Sequence, residues 1–416
     1  MPSIPPSSPS LSNEPTRTET VRDRMTRGEL HASLSLASIF ALRMLGLFLI
    51  LPVFAEYART LPDGHDAQRV GVAMGIYGLM QAFLHIPLGW LSDRVGRKPV
   101  MVAGLLLFVA GALVAAFSDT LTGITIGRAL QGMGAISAAI TACIADLTRE
   151  RHRTKAMAMV GGSIGLTFAL SLVIASPLLH SIGMSGIFGL MGVLGALAIG
   201  VTLFVVPNPP PPHPVQMPFR RVLLNADLIR LNVGVLALHA SQVAMFMVVP
   251  AMLGDAGMPL DQHWKVYLPV VLVSFLLMLA PMMAAERYGK VRPVLLASVA
   301  LMTAVQLLFA TVHGLWPIVG VLLLFFVAFN VLEAMQPSLV SRYAAASRGA
   351  ALGVYNTTQS LGLALGGVAG GWLLKHEGRP AVFVACAAVL LLWLIIAWSM
   401  KAPPARSKEG ASAVAA

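Results

Sequence analysis

Gly89-Trp90-Leu91-Ser92-Asp93-Arg94-Val95-Gly96-Arg97-Lys98-Pro99 is a short charged loop set between two long apolar runs. The flanking runs, about 69–91 and 99–118, are each long enough to cross a hydrocarbon core, which takes roughly 20 apolar residues. The loop therefore reads as a turn at a membrane surface. Its order of acid, Arg, any residue, Gly and base returns as Glu286-Arg287-Tyr288-Gly289-Lys290, again between apolar runs and a few residues after a proline. A loop repeated in this way divides the chain into two similar halves. Many carriers share that plan, with the ligand site near the bilayer midplane between the halves.

Working outward from the two loops, the apolar runs number twelve. The first half holds 33–57, 69–91, 99–118, 122–147, 155–179 and 185–206. The second holds 228–253, 265–285, 292–312, 315–340, 350–374 and 379–400. These runs are continuous, whereas a transmembrane β-barrel would show alternating stretches of ~10 residues. The expected fold class is an all-α polytopic membrane protein of twelve transmembrane helices in two pseudo-symmetric six-helix bundles. The expected organisation is a disordered cytoplasmic tail at 1–32, one bundle at 33–206, a Pro-rich linker at 207–225, the second bundle at 226–400 and a short cytoplasmic tail at 401–416. Prolines 209–212 cannot continue a helix and favour an extended linker.

Composition excludes a soluble protein. Of 416 residues, 57% are hydrophobic and only 11% charged, where soluble domains carry about 25% charged residues. Mean hydropathy is +0.78. The net charge of +11 does not require a nucleic-acid partner, because cytoplasmic loops of membrane proteins collect Lys and Arg. With the N-terminus in the cytoplasm, the outer loops hold only Arg59, Arg69, Lys265, Lys375 and Arg379. Both termini are therefore expected to be cytoplasmic, with no cleaved signal in the polar first thirty residues. Cys143 and Cys386 sit inside apolar runs and read as small packing residues. No nucleotide loop, metal cluster or nucleophile constellation is visible, so neither an enzyme nor a cofactor or metal is expected.

The loop from Gly89 to Pro99 matches, at each defining position, the cytoplasmic signature of the major facilitator superfamily, and the chain resembles that family. Leu42-Arg43-Met44-Leu45-Gly46, Asp146-Leu147-Thr148-Arg149-Glu150, His263-Trp264-Lys265-Val266-Tyr267, Phe325 through Asn330 and Gly370-Gly371-Trp372 are similar to its drug/proton antiporter-like members. The resemblance implies a bacterial inner-membrane carrier that works as a monomer on a small-molecule substrate and protons. A small soluble domain that follows the last helix in some relatives is not expected after 400. One departure stands in the fifth run: Pro177 is present, but the glycines that flank it in the family's antiporters are mostly replaced, as Leu172-Val173-Ile174-Ala175-Ser176 shows.

The resemblance also assigns roles. Gly89 is expected where two helices approach closely. Asp93 is expected to face the N-terminus of the eleventh helix near Arg348–Ala350, and Arg97 to pair with Asp146. With Arg94 and Gly96 these would form a cytoplasmic gate between the halves; the alternative is a basic loop that only sets orientation. The first, fourth, seventh and tenth helices are expected to line the cavity. Each carries one ionisable residue inside its span, Arg43, Arg128, His239 and Glu333, and the only other such residue is His85 in the second. Arg128 belongs to a stretch resembling a motif for proton transfer, or else it is a hub to backbone carbonyls. Glu333 is the first candidate for the coupling carboxylate, because burial raises a carboxyl pKa and a nearby Arg lowers it. His239 is the second candidate. Arg43 would hold an anionic substrate or tune Glu333. Structural pairing is the alternative for each. Asn330, Gln242, Gln131 and Tyr77 would add polar contacts. Glycines 362, 366, 370, 367 and 371 suit a tight or sliding helix interface. Three functions stay open: a proton-coupled exporter, a proton-coupled importer of a metabolite, and a non-transporting receptor.

Overall fold

The computed structural model describes residues 25–209, 222–344 and 348–400. Residues 1–24 of the expected tail at 1–32, the expected tail at 401–416 and most of the linker at 207–225 lie outside the described residues. The helices are α1 (Arg27–Ile50), α2 (Phe54–Ala58), α3 (Ala67–Val95), α4 (Arg97–Ala116), α5 (Leu121–Met133), α6 (Ser137–Leu147) and α7 (Glu150–Gly200), then α8 (Ala226–Asp255), α9 (Trp264–Arg287), α10 (Val291–Phe309), α11 (Leu315–Tyr343), α12 (Arg348–His376) and α13 (Arg379–Trp398). No strand occurs among the described residues.

Ten helical stretches among the described residues are long and apolar enough to cross a membrane. One of them, Lys155–Val205, has 51 residues, or about 75 Å at 1.5 Å per residue, more than twice a ~30 Å hydrocarbon core. It is interrupted at Gly183, whose φ of 67° lies outside the helical region. α12 is not among the ten, since Asn356, Thr357, Thr358, Gln359 and Ser360 interrupt its apolar run. Twelve crossings are reached when α7 is divided at Gly183 and α12 is counted. The outer surface carries large apolar side chains, among them Phe204 at 86% exposure and Trp316 at 79%. A lipid solvent accommodates such a surface and water does not.

Several helix boundaries differ from the sequence reading. α1 begins at Arg27 rather than 33, because Thr26 and Glu29 form a reciprocal capping box. Glu29 also receives the Arg149 guanidinium at 2.8 Å. α1 ends at Ile50, ahead of Pro52, and the chain resumes as the short α2. The predicted run 122–147 is two helices, broken at Gly134–Ile136. The two repeated loops share a backbone device: Gly96 has φ of 104° and Gly289 of 66°. Both positions lie in the left-handed region that glycine enters freely, which gives the repeated Gly a conformational reason.

α12 is wedged between the halves. One face packs on α8, where a Cβ on Gly362 would stand 2.6 Å from the Leu236 carbonyl oxygen. Gly366 and Gly370 continue that face against Ala240 and Ala244. The other face, Gly367 and Gly371, meets Gly71 and Gly75 of α3 in the opposite half. Backbones this close leave no room for a side chain. Gly367→Val is therefore expected to destabilise the protein by at least about 1–3 kcal/mol, visible as a lowered midpoint in thermal denaturation of the purified carrier. The α3–α12 contact runs from the Asp66–Lys375 ion pair (2.8 Å) to His85 and Ser360 (3.2 Å). The Lys375 ammonium, hydrogen-bonded to Asp66, holds that carboxyl below its ordinary range. The pair thus stays charged above the usual carboxylate pKa and is lost only as pH falls further. At the start of α12, by contrast, Gly349 and Gly353 have nothing within 4 Å of a built Cβ. The halves meet at the end away from the signature loop.

Candidate functional site

In the second half, α8, α11 and α12 bring His239, Glu333 and Gln359 together. His239 Nδ1 lies 3.0 Å from the Val235 carbonyl oxygen one turn back. A carbonyl only accepts, so Nδ1 carries the proton and Nε2 of the neutral ring is an acceptor. The Gln359 amide nitrogen donates to that Nε2 at 2.7 Å. Glu333 Oε2 lies 3.5 Å from the same Nε2 and has no hydrogen-bond partner. The His239 side chain is 6% exposed and that of Glu333 33%. Phe329 of α11 stands edge-on to the imidazole at 5.9 Å. It also touches Phe168 of α7 at 5.8 Å, and Phe168 touches Phe48 of α1 at 5.0 Å. An aromatic row thus links the two halves beside the histidine.

The arrangement offers two states. Neutral His239 accepts from Gln359 on α12. A second proton on the ring turns Nε2 into a donor, which no longer accepts from the amide nitrogen and is drawn to the charged Glu333 carboxylate on α11 in competition with the Gln359 amide oxygen. Protonation therefore shifts the preference of Nε2 from the neutral amide on α12 toward the charged carboxylate on α11.

In the first half, Arg43 of α1 and Arg128 of α5 both lie close to Tyr77 of α3. Their guanidinium carbons lie 5.9 and 5.7 Å from the Tyr77 ring centre, within cation–π range. Arg43 donates to the Tyr77 hydroxyl at 2.7 Å and to Ser137 Oγ at 3.4 Å. Arg128 donates to the carbonyls of Ala73 at 2.7 Å and Met74 at 3.2 Å. Gln81 donates to Tyr77 and accepts from Ser360 of α12, which also contacts His85.

At the signature loop, Arg97 Nε lies 2.9 Å from Asp146 Oδ2 and its Nη1 lies 2.8 Å from Ser92 Oγ. Asp93 pairs with Arg97 Nη1. All of these belong to the first half. Among the described residues Asp93 is paired within its own half, and the expected partner region near Arg348–Ala350 lies partly outside them. Gly89 approaches α6 of its own half, a built Cβ standing 3.3 Å from Ala138. Arg94 lies over the exposed Trp90 ring at 3.7 Å.

The four interior ionisable residues form two clusters rather than one. Arg43 does not reach Glu333; its partners are Tyr77 and Ser137, and the neighbour of Glu333 is His239. Asn330 points away from the pair and donates to Ser274 of α9 at 3.0 Å. Gln242 is buried on α8. Gln131 contacts Met191 Sδ at 3.9 Å. Sequence reasoning missed the contributions of Gln359, Gln81, Ser360 and Ser137. The visible signal for the first was the polar run 356–360 inside an otherwise apolar helix.

Helical halves around a buried polar centre, with a charged loop repeated in each, define a membrane transporter rather than an enzyme. The chain belongs to the Major Facilitator Superfamily, whose family model matches residues 36–285 and 231–415. It is 42% identical over 389 residues to the inner membrane transport protein YajR of Escherichia coli (strain K12), covering 92% of this chain and 86% of that protein. Over a shorter stretch of 130 residues it is 37% identical to the class B tetracycline resistance protein of Escherichia coli, 31% of this chain and 32% of that one. A solved bacterial homologue of the human lysosomal transporter Spinster shares the fold, with a TM-score of 0.72 at 12% identity over 92% of this chain and all of that one.

Proposed function

We propose that this carrier exports small organic molecules across a bacterial inner membrane in exchange for protons. It does so as a monomer, by alternating access, with twelve crossings and both termini cytoplasmic. The observation that carries the reading is the shared nitrogen of His239, which faces a Gln359 donor at 2.7 Å and a Glu333 carboxylate at 3.5 Å. Such a group favours the carboxylate over the amide when it takes a proton, and the two partners sit on different helices. Intramembrane ionisable residues are costly, and they persist where a pathway uses them. The glycine seam between α3 and α12 supports movement of the halves. The signature-loop network of Asp93, Arg97 and Asp146 supports a gate that closes from the first half. Similarity to a tetracycline resistance protein supports drug-like cargo and the export direction.

The test uses proteoliposomes holding the purified carrier and a solute found by a thermal-shift screen. An imposed pH gradient is expected to drive net solute flux opposite to proton flow. Flux in the same direction as protons would establish the importer reading instead. Flux indifferent to the gradient would remove proton coupling altogether.

A further inference from the structure

We propose that the break between α5 and α6, with Arg43 set against it, is a binding site for the carboxylate of an anionic organic substrate. The inference rests on the carrier reading above and deepens it by naming the cargo's charge. α6 starts in mid-span, and no side chain caps its N-terminus. Its first backbone hydrogen bond runs from Ile140 N–H to the Ile136 carbonyl. The N–H groups of Ser137, Ala138 and Ala139 therefore lead the helix as donors. The break fits only because Gly104 of α4 has no side chain; a Cβ there would collide with Ile136.

A buried cation is set against this helix start. Arg43 is 1% exposed, reaches Ser137 at the first position of α6, and its Nε has no protein acceptor. Arg128, also 1% exposed, lies near the same Tyr77 ring with Nη1 lacking an acceptor. Neither guanidinium has a carboxylate partner among the described residues. The only buried acid among them, Glu29, is paired with Arg149. The first half thus holds two buried positive charges and a half-helix dipole of the same sign, with no negative group to balance them. Buried charges persist when something pairs with them. Half-helix N-termini inside carriers are suited to anionic substrate groups, and a guanidinium matches a carboxylate by two parallel hydrogen bonds. Ser137 is 3% exposed, so loading the site requires the movement of halves that alternating access supplies.

The experiment is a thermal-shift series on the purified full chain without any gradient. The ligands are aromatic and aliphatic carboxylates, each beside its primary amide and its amine, beginning with indole-3-acetate, indole-3-acetamide and tryptamine. At least one acid is expected to stabilise the protein at concentrations about tenfold below its amide and amine. Arg43→Gln is expected to erase that preference and Arg43→Lys to keep it in part. If Arg43→Gln does not fold, the acid-over-amide preference of the wild type and of Arg43→Lys decides. Glu333→Gln is expected to keep acid binding, which separates this site from proton coupling. Binding by amines alone, equal shifts for acids and amides, a blank across the acid series, or an acid preference that survives Arg43→Gln would each overturn the assignment.

Discussion

Glu333→Gln is expected to reduce pH-driven flux by about tenfold to a hundredfold while leaving the carrier folded and able to bind its solute. A carboxylate about 4 Å from a charged imidazole is worth roughly 4 kcal/mol at an effective dielectric of 20. Glu333 is one-third open, so solvent screens part of that and about 1.5–3 kcal/mol is a fair expectation. Each ~1.4 kcal/mol is a factor of ten in an equilibrium or a rate. A glutamine keeps the size and an oxygen acceptor but not the charge, so the protonated ring loses its counter-ion and its preference for position 333 over Gln359. The measurement is initial flux against external pH in proteoliposomes, beside a thermal melt that shows the fold is retained. An unaltered pH profile in this variant would move the coupling role elsewhere.

Arg97→Gln is expected to be the most damaging change at the signature loop. The side chain is 7% exposed and serves Asp93, Asp146 and Ser92 together. Removing one partner of a fully buried pair costs about 3–5 kcal/mol. Asp93 and Asp146 are 31% and 27% exposed, so a loss of ~1–3 kcal/mol is expected here. Two carboxylates would be left with no cation between them. Arg97→Lys should recover only part of the loss, because a single ammonium does not reproduce the planar fork of donors. The double variant Asp93→Asn/Arg97→Gln should be less destabilised than the sum of its parts, since it removes a charge that would otherwise be stranded. Thermal denaturation of the four proteins reads the cycle. Strict additivity would show that the loop residues act independently and that the network reading is wrong.

Much of the architecture is legible in the chain itself. Hydrophobic runs of membrane length are a local property of the chain, so the helix ends fall within a few residues of expectation wherever no special cap intervenes. The exceptions have local causes of their own, such as the Thr26–Glu29 box at α1. The repeat of acid, Arg, Gly and base was readable because both loops need a left-handed turn at Gly96 and Gly289. Glycines 362, 366 and 370 were visible as a stripe. That they face α8, while Gly367 and Gly371 face α3, was not, because the split depends on how α12 is rotated between two neighbours.

The amino-acid sequence by itself determined that this protein lies in a membrane, that it is built twice, and that a few charged side chains sit inside the spans. Those properties follow from the solvation of each segment and need no knowledge of its neighbours. The tertiary structure alone decided which charges meet. Gln359 and His239 are 120 residues apart, and Arg43 and Ser137 are 94 apart. Whether such groups touch depends on the rotation and depth of whole helices, set by packing along their full length. That packing put Glu333 beside His239, left Arg43 facing an uncapped helix start, and closed the two halves at the end remote from Asp93.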